Sequence, residues 1–221
     1  MIRRGREEDR HALETLYDTC FPGEPQFRKW FFDKVWRPEH TLVYEVRGKG
    51  VQSSLMDLPI TVGIGNCEYQ AHYIYAAGTA LEARGQGLMG MLLKRIFLEG
   101  VADGLDFSVL ITQNDKLFDF YRPFGYATIS ALSSYQATPQ PPPEGYTLRQ
   151  ATVEDVHSLS ALYKADVRNR LAILRKTDYW MLMLELYGEN LFVFEHQDGT
   201  LDAYAVLDEL DGTPFIKEAM G

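Results

Sequence analysis

The chain is poor in the residues on which several kinds of function depend. Cysteine occurs only at positions 20 and 67 of 221, with no C-x-x-C and no histidine at ligand spacing; this argues against a disulfide framework and a structural zinc site, and no metal is expected. Two buried thiols are the expectation. Long apolar runs are missing too, since none approaches the ~20 residues a spanning helix needs. Residues 1–9, with Arg3, Arg4 and Arg6, lack the apolar stretch and small-residue cleavage site of a signal peptide. No membrane association and a cytoplasmic location are therefore expected. Basic residues are in deficit, 22 against 31 acidic for a net charge of −9, so the footprint that nucleic acid requires is absent and no nucleic-acid partner is expected. G-x-S-x-G, H-E-x-x-H and G-x-x-x-x-G-K-[ST] do not occur, which leaves serine-hydrolase, zincin and P-loop chemistry without a motif. What is plentiful is core material: 46% apolar and 13% aromatic side chains describe a globular protein and exclude disorder and collagen.

Charge and proline divide the chain. Residues 1–138 carry 15 basic and 17 acidic side chains, whereas 139–221 carry 7 and 14. Between them, Pro139, Pro141, Pro142 and Pro143 favour extended backbone without donors, so 138–145 reads as a linker. Beyond it, Leu148, Arg149, Glu154, Asp155, Leu159, Leu162 and Tyr163 repeat Ile2, Arg3, Glu8, Asp9, Leu13, Leu16 and Tyr17 at a constant offset. Trp180 against Trp30, and Val193-Phe194-Glu195 against Val43-Tyr44-Glu45, keep step at a slightly larger one. An internal duplication is expected.

Leu13, Leu16 and Tyr17 follow helical spacing behind Glu8 and Asp9, and a second helix over 27–35 ends before Pro38. Residues 41–46, the turn 47–50 and 51–58 predict a hairpin; Gly65-Asn66 turns the chain into a strand over 67–79. A helix carries Leu88, Met91, Leu92 and Ile96 up to Gly100. A strand over 107–111, a helix over 116–121 and a strand over 126–135 complete the first half. The second half repeats helix, helix, hairpin and strand, and by the offset ends level with residues 71–76 of the first, without the glycine run at 85–90. The expected class is α/β (α+β), a mixed, mostly antiparallel sheet flanked by helices.

Arg84-Gly85-Gln86-Gly87-Leu88-Met89-Gly90 lies between a predicted strand and helix, where backbone N–H groups are free to meet an anion. Gly85, Gly87 and Gly90 also satisfy G-x-G-x-x-G, the dinucleotide fingerprint, with Asp106 near the ribose-binding distance. A hairpin series, however, precedes the glycines in place of the first strand of a βαβ unit. The stretch from Ala76 to Gly87, then Val109-Leu110-Ile111, Asn114, and Phe120-Tyr121-Arg122-Pro123-Phe124-Gly125-Tyr126 resembles the central strand, pyrophosphate loop, next strand and N…Y…G-[FY] segment of the GCN5-related N-acetyltransferases (GNAT). Glu82, Leu81 and Met89 depart from the commonest residues of that loop. The resemblance covers residues 1–137, and the half-copy over 146–221, lacking the cofactor loop, is similar to the tandem-domain, enhanced-intracellular-survival-like branch.

The resemblance implies an N-acetyltransferase that uses acetyl-CoA on a small-molecule or peptide amine by direct attack in a ternary complex. Ala77, Gly78 and Thr79 would pair with the pantetheine arm. Arg84 and the N–H groups of Gly85, Gln86, Gly87, Leu88, Met89 and Gly90 would anchor the diphosphate. Asn114 would hold the arm from the neighbouring strand, and Tyr121 would protonate the leaving thiolate. Read without the resemblance, Tyr121 is a core aromatic, Arg84 caps a turn and Asn114 makes an Asx-turn. Glu24, Glu45, His40 and His72 lie in segments that could reach the cleft as a base, with His72 and Tyr73 on the central strand the foremost candidates; read without that role, His72 among Tyr69, Tyr73 and Tyr75 is a hydrogen-bonded structural residue. The second copy would shape the acceptor cleft or form a contact in a homo-oligomer. Trp30, Phe31, Phe32 and Trp36 read as core. The alternatives are a non-catalytic acyl-CoA-binding or interaction module and, from the glycine fingerprint, an NAD-dependent oxidoreductase.

Overall fold

The computed structural model describes every residue except Gln113, 131–142 and Asp211. Two compact units emerge, the first holding Met1–Val62 and the chain from Glu68 to the undescribed stretch, the second Gly63–Cys67 and the chain after that stretch. Most of the proline-rich linker lies outside the described residues.

In the first unit the sheet order is β1 (Ile2–Arg4), β2 (Thr41–Val46), β3 (Gly50–Ile64), β4 (Cys67–Thr79) and β5 (Phe107–Val109). β1 and β3 flank β2 antiparallel, whereas β5 runs parallel to β4. That parallel pair requires a crossover, supplied by α3 (Leu88–Ala102). Residue alternation sorts the side chains into two cores. Val43, Met56 and Tyr75 pack with Leu13 and Tyr17 of α1 (Arg10–Cys20) and Phe31 and Phe32 of α2 (Pro25–Lys34). Their chain neighbours Leu42, Leu55 and Ile74 turn the other way, onto Leu92, Leu93 and Ile96 of α3 and Tyr121 of α4 (Asp115–Tyr121). Leu92, Leu93 and Ile96 are fully buried, each contributing about 1.5–3 kcal/mol relative to exposure. This second core fixes α3, and hence the glycine run before it, against the sheet.

Three expectations change. β3 runs past residue 58 through Pro59, because the β2 ladder stops at Met56 and Pro59 has no donor to supply there. Residues 126–130 form no strand, and Ile129 is 71% exposed: Tyr126 packs on the second core but the residues after it are exposed, while 131–135 lie outside the described residues. The thiols are not both buried. Cys67 is exposed beside the Gly65-Asn66 turn, and Cys20 is half-buried at the end of α1.

The second unit contains β6 (Tyr146–Gln150), α5 (Val156–Val167), β7 (Leu171–Ile173), α6 (Thr177–Tyr187), β8 (Leu191–His196), β9 (Leu201–Leu210) and β10 (Thr213–Met220). β10, β9, β8 and β6 form an antiparallel sheet in that order. Its core centres on Trp180, Leu159, Val193 and Tyr204. Among the described residues, no helix is long and apolar enough to cross a membrane.

One polar cluster occurs in both units with the same bonds. Arg3 donates from Nε to Glu45 at 2.7 Å and from its two Nη atoms to Asp9 at 2.6 and 2.8 Å. Arg149 donates to Glu195 at 2.7 Å and to Asp155 at 2.8 Å twice. Asp9 and Asp155 each also accept a backbone N–H at a helix start, from Arg6 and Thr152. The bulges match as well, between Tyr44 and Glu45 in the first unit and between Phe194 and Glu195 in the second. The paired arginine, ahead of the helix-start N–H, holds each buried aspartate below the usual carboxylate range. A carboxylate depressed on folding stabilises fully above its unfolded pKa, about 3.9, and loses that contribution as pH falls through the folded value. Melting temperature measured from pH 6 to 2 is thus expected to fall less steeply in Asp9→Asn than in the wild type, from a lower start.

Candidate functional site

The site is built from the end of β4 outward. β4 and β5 are in register only from Ala71↔Phe107 to Tyr73↔Val109. β4 then continues to Thr79 while β5 stops, so the two strands part and the final residues of β4 have no ladder partner on that side among the described residues. Ala76, within this stretch, has φ +48°, a left-handed value that costs a residue with Cβ roughly 1–2 kcal/mol. Such strain persists only where surrounding structure imposes it. Gly78 is there for a close approach: a Cβ would lie 2.9 Å from Cys20 Sγ. Ser53 on β3 donates to the Gly78 carbonyl at 3.0 Å and meets Thr79 Oγ1 at 2.8 Å.

The chain then makes a 3-10 turn over Leu81–Ala83 and enters the glycine run. Gly85 and Gly87 take φ +74° and +75°, with no atom near either Cβ position; both positions favour glycine through their backbone. Gly87 is the N-cap of α3. Met91 N–H, bonded to the Gly87 carbonyl, closes the helix's first turn, so Leu88, Met89 and Gly90 N–H groups have no intrahelical acceptor. They sit at the positive end of the α3 dipole. Gln86 Nε2 donates to the Glu82 carbonyl at 3.1 Å, closing the loop on itself. Arg84 folds back, Nε to the Thr79 carbonyl at 3.1 Å, and so ties the loop to the end of β4.

The side chains of Leu88 and Met89 face the core on α3, so these residues offer a ligand only their backbone. Gly90 is also a packing position, since a Cβ would come within 2.9 Å of Phe124 Cζ. Gly90→Ala is expected to destabilise the fold by about 1–3 kcal/mol, as overpacking does. Denaturant titration reads the loss, and Phe124→Leu in the same chain should recover most of it.

Tyr121, in the last turn of α4, is 9% exposed and belongs to the same core as Ile74 and Leu92. Burial, and then the neighbouring Tyr73 phenol, push its pKa up. It is thus both a core aromatic and a phenol at the level where β4 and β5 part. Asn114 is the exposed N-cap of α4; its carbonyl accepts the Leu117 N–H at 3.1 Å, and its side chain caps nothing. The Asx-turn alternative therefore does not apply. The loop, the end of β4 and α3 are contiguous, whereas no hydrogen bond among the described residues joins Asn114 to them.

The base candidates fare differently. Glu45 is held by Arg3. His72 is buried beside Gly100, at the far end of α3 from the glycine run; its Nε2 lies 2.7 Å from Ser108 Oγ, and burial lowers its pKa. Tyr75 meets Tyr17 hydroxyl to hydroxyl at 3.3 Å, and the Glu24 charge acts on both phenols. Sequence reasoning missed Ser53, Cys20 and Ser108, whose importance comes from cross-strand and helix-to-strand neighbours that no local motif marks. The dinucleotide reading loses its ribose partner: Asp106 is bonded to the Gln70 backbone, at the end of β4 away from the loop.

A family model described as the acetyltransferase (GNAT) domain matches residues 1–129. No curated protein matches the chain by sequence. Solved structures resemble it along its whole length. The GCN5-related N-acetyltransferase from Anabaena variabilis ATCC 29413 is 16% identical with a TM-score of 0.75, matched over 100% of this chain and 58% of that one. Eis1 from Mycobacterium abscessus is 14% identical with a TM-score of 0.70, over 100% and 59%. Saccharomyces cerevisiae N-myristoyltransferase with bound myristoyl-CoA is 12% identical with a TM-score of 0.64, over 100% and 65%. The chain thus spans less than two thirds of each of these proteins, and at such identities the likeness speaks to the fold. The family model, covering more than half of the chain and the whole stretch from β1 through the glycine run to Tyr126, places it further: the chain belongs to the GCN5-related N-acetyltransferase (GNAT) superfamily.

Proposed function

We propose that this chain transfers an acetyl group from acetyl-CoA to a primary amine of a small molecule or peptide, by direct attack within a ternary complex. The observation that carries the reading is the continuity of residues 77–90: a strand edge without a partner on the β5 side among the described residues leads, through the turn at Leu81–Ala83 and the glycine run, into a helix N-terminus whose first N–H groups have no intrahelical acceptor. A thioester on a long arm that ends in a diphosphate needs those two features side by side. The yeast structure with bound myristoyl-CoA supports an acyl-CoA ligand for this kind of sheet.

Backbone alternation assigns the groups. Ala80 N–H bonds the Gln52 carbonyl and Gly78 C=O accepts from Ser53, so the even-numbered residues here face β3, and Ala77 and Thr79 face the open side. The Thr79 carbonyl is taken by Arg84, which leaves the Ala77 N–H and C=O for the arm. Gly85, Gln86, Gly87, Leu88, Met89 and Gly90 offer N–H groups to the diphosphate, with the Arg84 guanidinium beside them. Asn114 would hold the arm from the α4 side.

Acetyl-CoA supplies a thioester whose carbonyl carbon takes the amine nitrogen as the C–S bond breaks. One backbone donor aimed at the carbonyl oxygen is worth about 3 kcal/mol in such a step. Tyr121 donates its phenolic proton to the departing thiolate and recovers one from solvent. Its raised pKa keeps the phenol protonated through neutral pH. A lysine-like amine is neutral at pH 7 in only about one molecule in a few thousand, so its proton leaves through water before or during attack.

Residues 146–221 are, in the same reading, a partial second copy that lacks the glycine run, supported by the shared arginine–carboxylate clusters and matched bulges. The glycine run occurs once within residues 1–221, so titration of this polypeptide is expected to fill one site. Calorimetric titration with acetyl-CoA, with NAD as comparator, tests the reading: micromolar binding at one site per chain and no response to NAD are expected. CoA release is then followed with a series of primary amines, from butylamine to lysine-containing peptides. Silence from acetyl-CoA would overturn the proposal, and binding without CoA release on any amine would reduce it to an acyl-CoA-binding module.

A further inference from the structure

The geometry points to a hydrogen-bonded chain, His72–Ser108–Tyr126, that positions Tyr121 for the reaction proposed above, and the inference rests on that reading. His72 and Ser108 are register partners in the parallel ladder, one pair before β4 and β5 part. His72 Nε2 lies 2.7 Å from Ser108 Oγ, and Ser108 Oγ lies 2.5 Å from Tyr126 Oη. Tyr126 belongs to neither strand: it follows α4 and the left-handed Gly125 at φ +91°. Its ring meets Tyr121 edge to face at 5.5 Å, and Phe120 flanks Tyr121 at 5.0 Å. Three segments are thereby tied together at the vertex from which the strands diverge.

A helix of seven residues has little stability of its own, so the orientation of the Tyr121 ring depends on what packs against it. Tyr126 forms part of that surface, with Phe120 and the core around Ile74 and Leu92, and Tyr126 is held in turn by Ser108. His72 is the buried end of the chain. Asp57 on β3 and Arg4 on β1 act on it in opposite senses, and Arg4 itself is paired with Asp57 and with Glu99 on α3. Burial lowers the imidazole's pKa and so favours its neutral form. A neutral imidazole offers one donor and one acceptor, so His72, Ser108 and Tyr126 can be satisfied in either direction without a net charge. Packing alone would be served by apolar side chains. Three polar groups at the vertex fix one arrangement, because displacing Tyr126 takes from Ser108 Oγ one of its two hydrogen-bond partners, the other being His72.

The test labels the full chain with 3-fluorotyrosine and identifies the Tyr121 fluorine resonance by its loss in Tyr121→Phe. In the wild type this resonance is expected to shift on addition of acetyl-CoA. Ser108→Ala and Tyr126→Phe are expected to shift or broaden it and to lower the rate of CoA release about 10-fold, less than a full misplacement of a reacting group costs. Acetyl-CoA affinity should be kept, and Ser108→Thr, which retains the hydroxyl, should restore both signals. Combined with Tyr121→Phe, neither substitution should slow the enzyme further. A Tyr121 resonance that is unmoved in Ser108→Ala and Tyr126→Phe, or rate losses that multiply with that of Tyr121→Phe, overturns the positioning role and leaves the proposed reaction standing. A wild-type Tyr121 resonance indifferent to bound acetyl-CoA overturns the role of Tyr121 itself. The fluorine readout decides even where turnover on the chosen amine is slow.

Discussion

Replacing Gly87 with glutamate is expected to weaken acetyl-CoA binding at least 100-fold, about 2.7 kcal/mol, while the protein stays folded. Gly87 is the N-cap of α3 at φ +75°. Any side chain there carries a backbone penalty of about 1–2 kcal/mol, but no atom lies within 4 Å of its Cβ, so no core contact is disturbed. A carboxylate at this point also gains from the helix dipole. That is why the substitution is informative: the new anion is stabilised by the same N–H groups the diphosphate would need. Gly87→Ala separates the two effects, since it carries the backbone penalty without the charge. Calorimetry on both variants should give a loss of no more than about 10-fold for alanine, in line with its backbone penalty, and the large loss only for glutamate. Equal losses would mean that loop conformation and not anion binding is what Gly87 supplies. No loss in either would remove the glycine run from the cofactor site.

How far the sequence foretells this arrangement depends on the range of the interaction involved. Periodicity marked α1, α2 and α3 because Leu13, Leu16 and Tyr17, or Leu88, Leu92 and Ile96, repeat within a few residues and are all buried. The turn Gly65-Asn66 and the start and end of β4 were equally local. Of the strand expected over 126–135, the described part, residues 126–130, is not a strand, for the opposite reason. Its alternation resembles a strand, but Tyr126 is claimed by Ser108 across the fold, and Ile129 faces solvent. The strand expected over 51–58 continues through Pro59, because what matters is whether a neighbouring strand requires its N–H, and the β2 ladder stops at Met56. At the site, the glycines at 85 and 87 were legible through the backbone they impose. The parting of β4 from β5 was not, since it depends on where a partner strand stops. Nor was the double use of Gly90, which the sequence offers as one more loop glycine and the structure packs against Phe124. The repeated arginine–aspartate–glutamate cluster lies between these cases: its residues were visible as a pattern at two offsets, and their mutual bonds required the fold.

Tyr121→Phe is expected to lower kcat about 100-fold, the low end of what a positioned general acid contributes, and to leave acetyl-CoA affinity unchanged. The hydroxyl is the only group removed. The ring, which packs in the core with Ile74, Leu92 and Leu93 and edge to face with Phe120 and Tyr126, is retained, so stability should change little. The two effects therefore separate cleanly between kcat and the melting temperature. Burial supplies a second signature. It raises the Tyr121 pKa above its ordinary value, which is about 10 for a free phenol, so the proton is present across the range in which an alkylamine acceptor becomes neutral. The wild-type rate should accordingly rise with pH as the amine deprotonates and show no decline up to about pH 10. In Tyr121→Phe the same rise should persist at a lower level, because the amine still governs it, and the rate should improve for acyl thioesters whose thiolate leaves without a proton. Thiophenyl acetate, with its acidic thiol, provides that comparison. A deficit that is the same for acetyl-CoA and for thiophenyl acetate would assign Tyr121 to the core alone, and a deficit confined to acetyl-CoA would assign it the proton that the CoA thiolate requires.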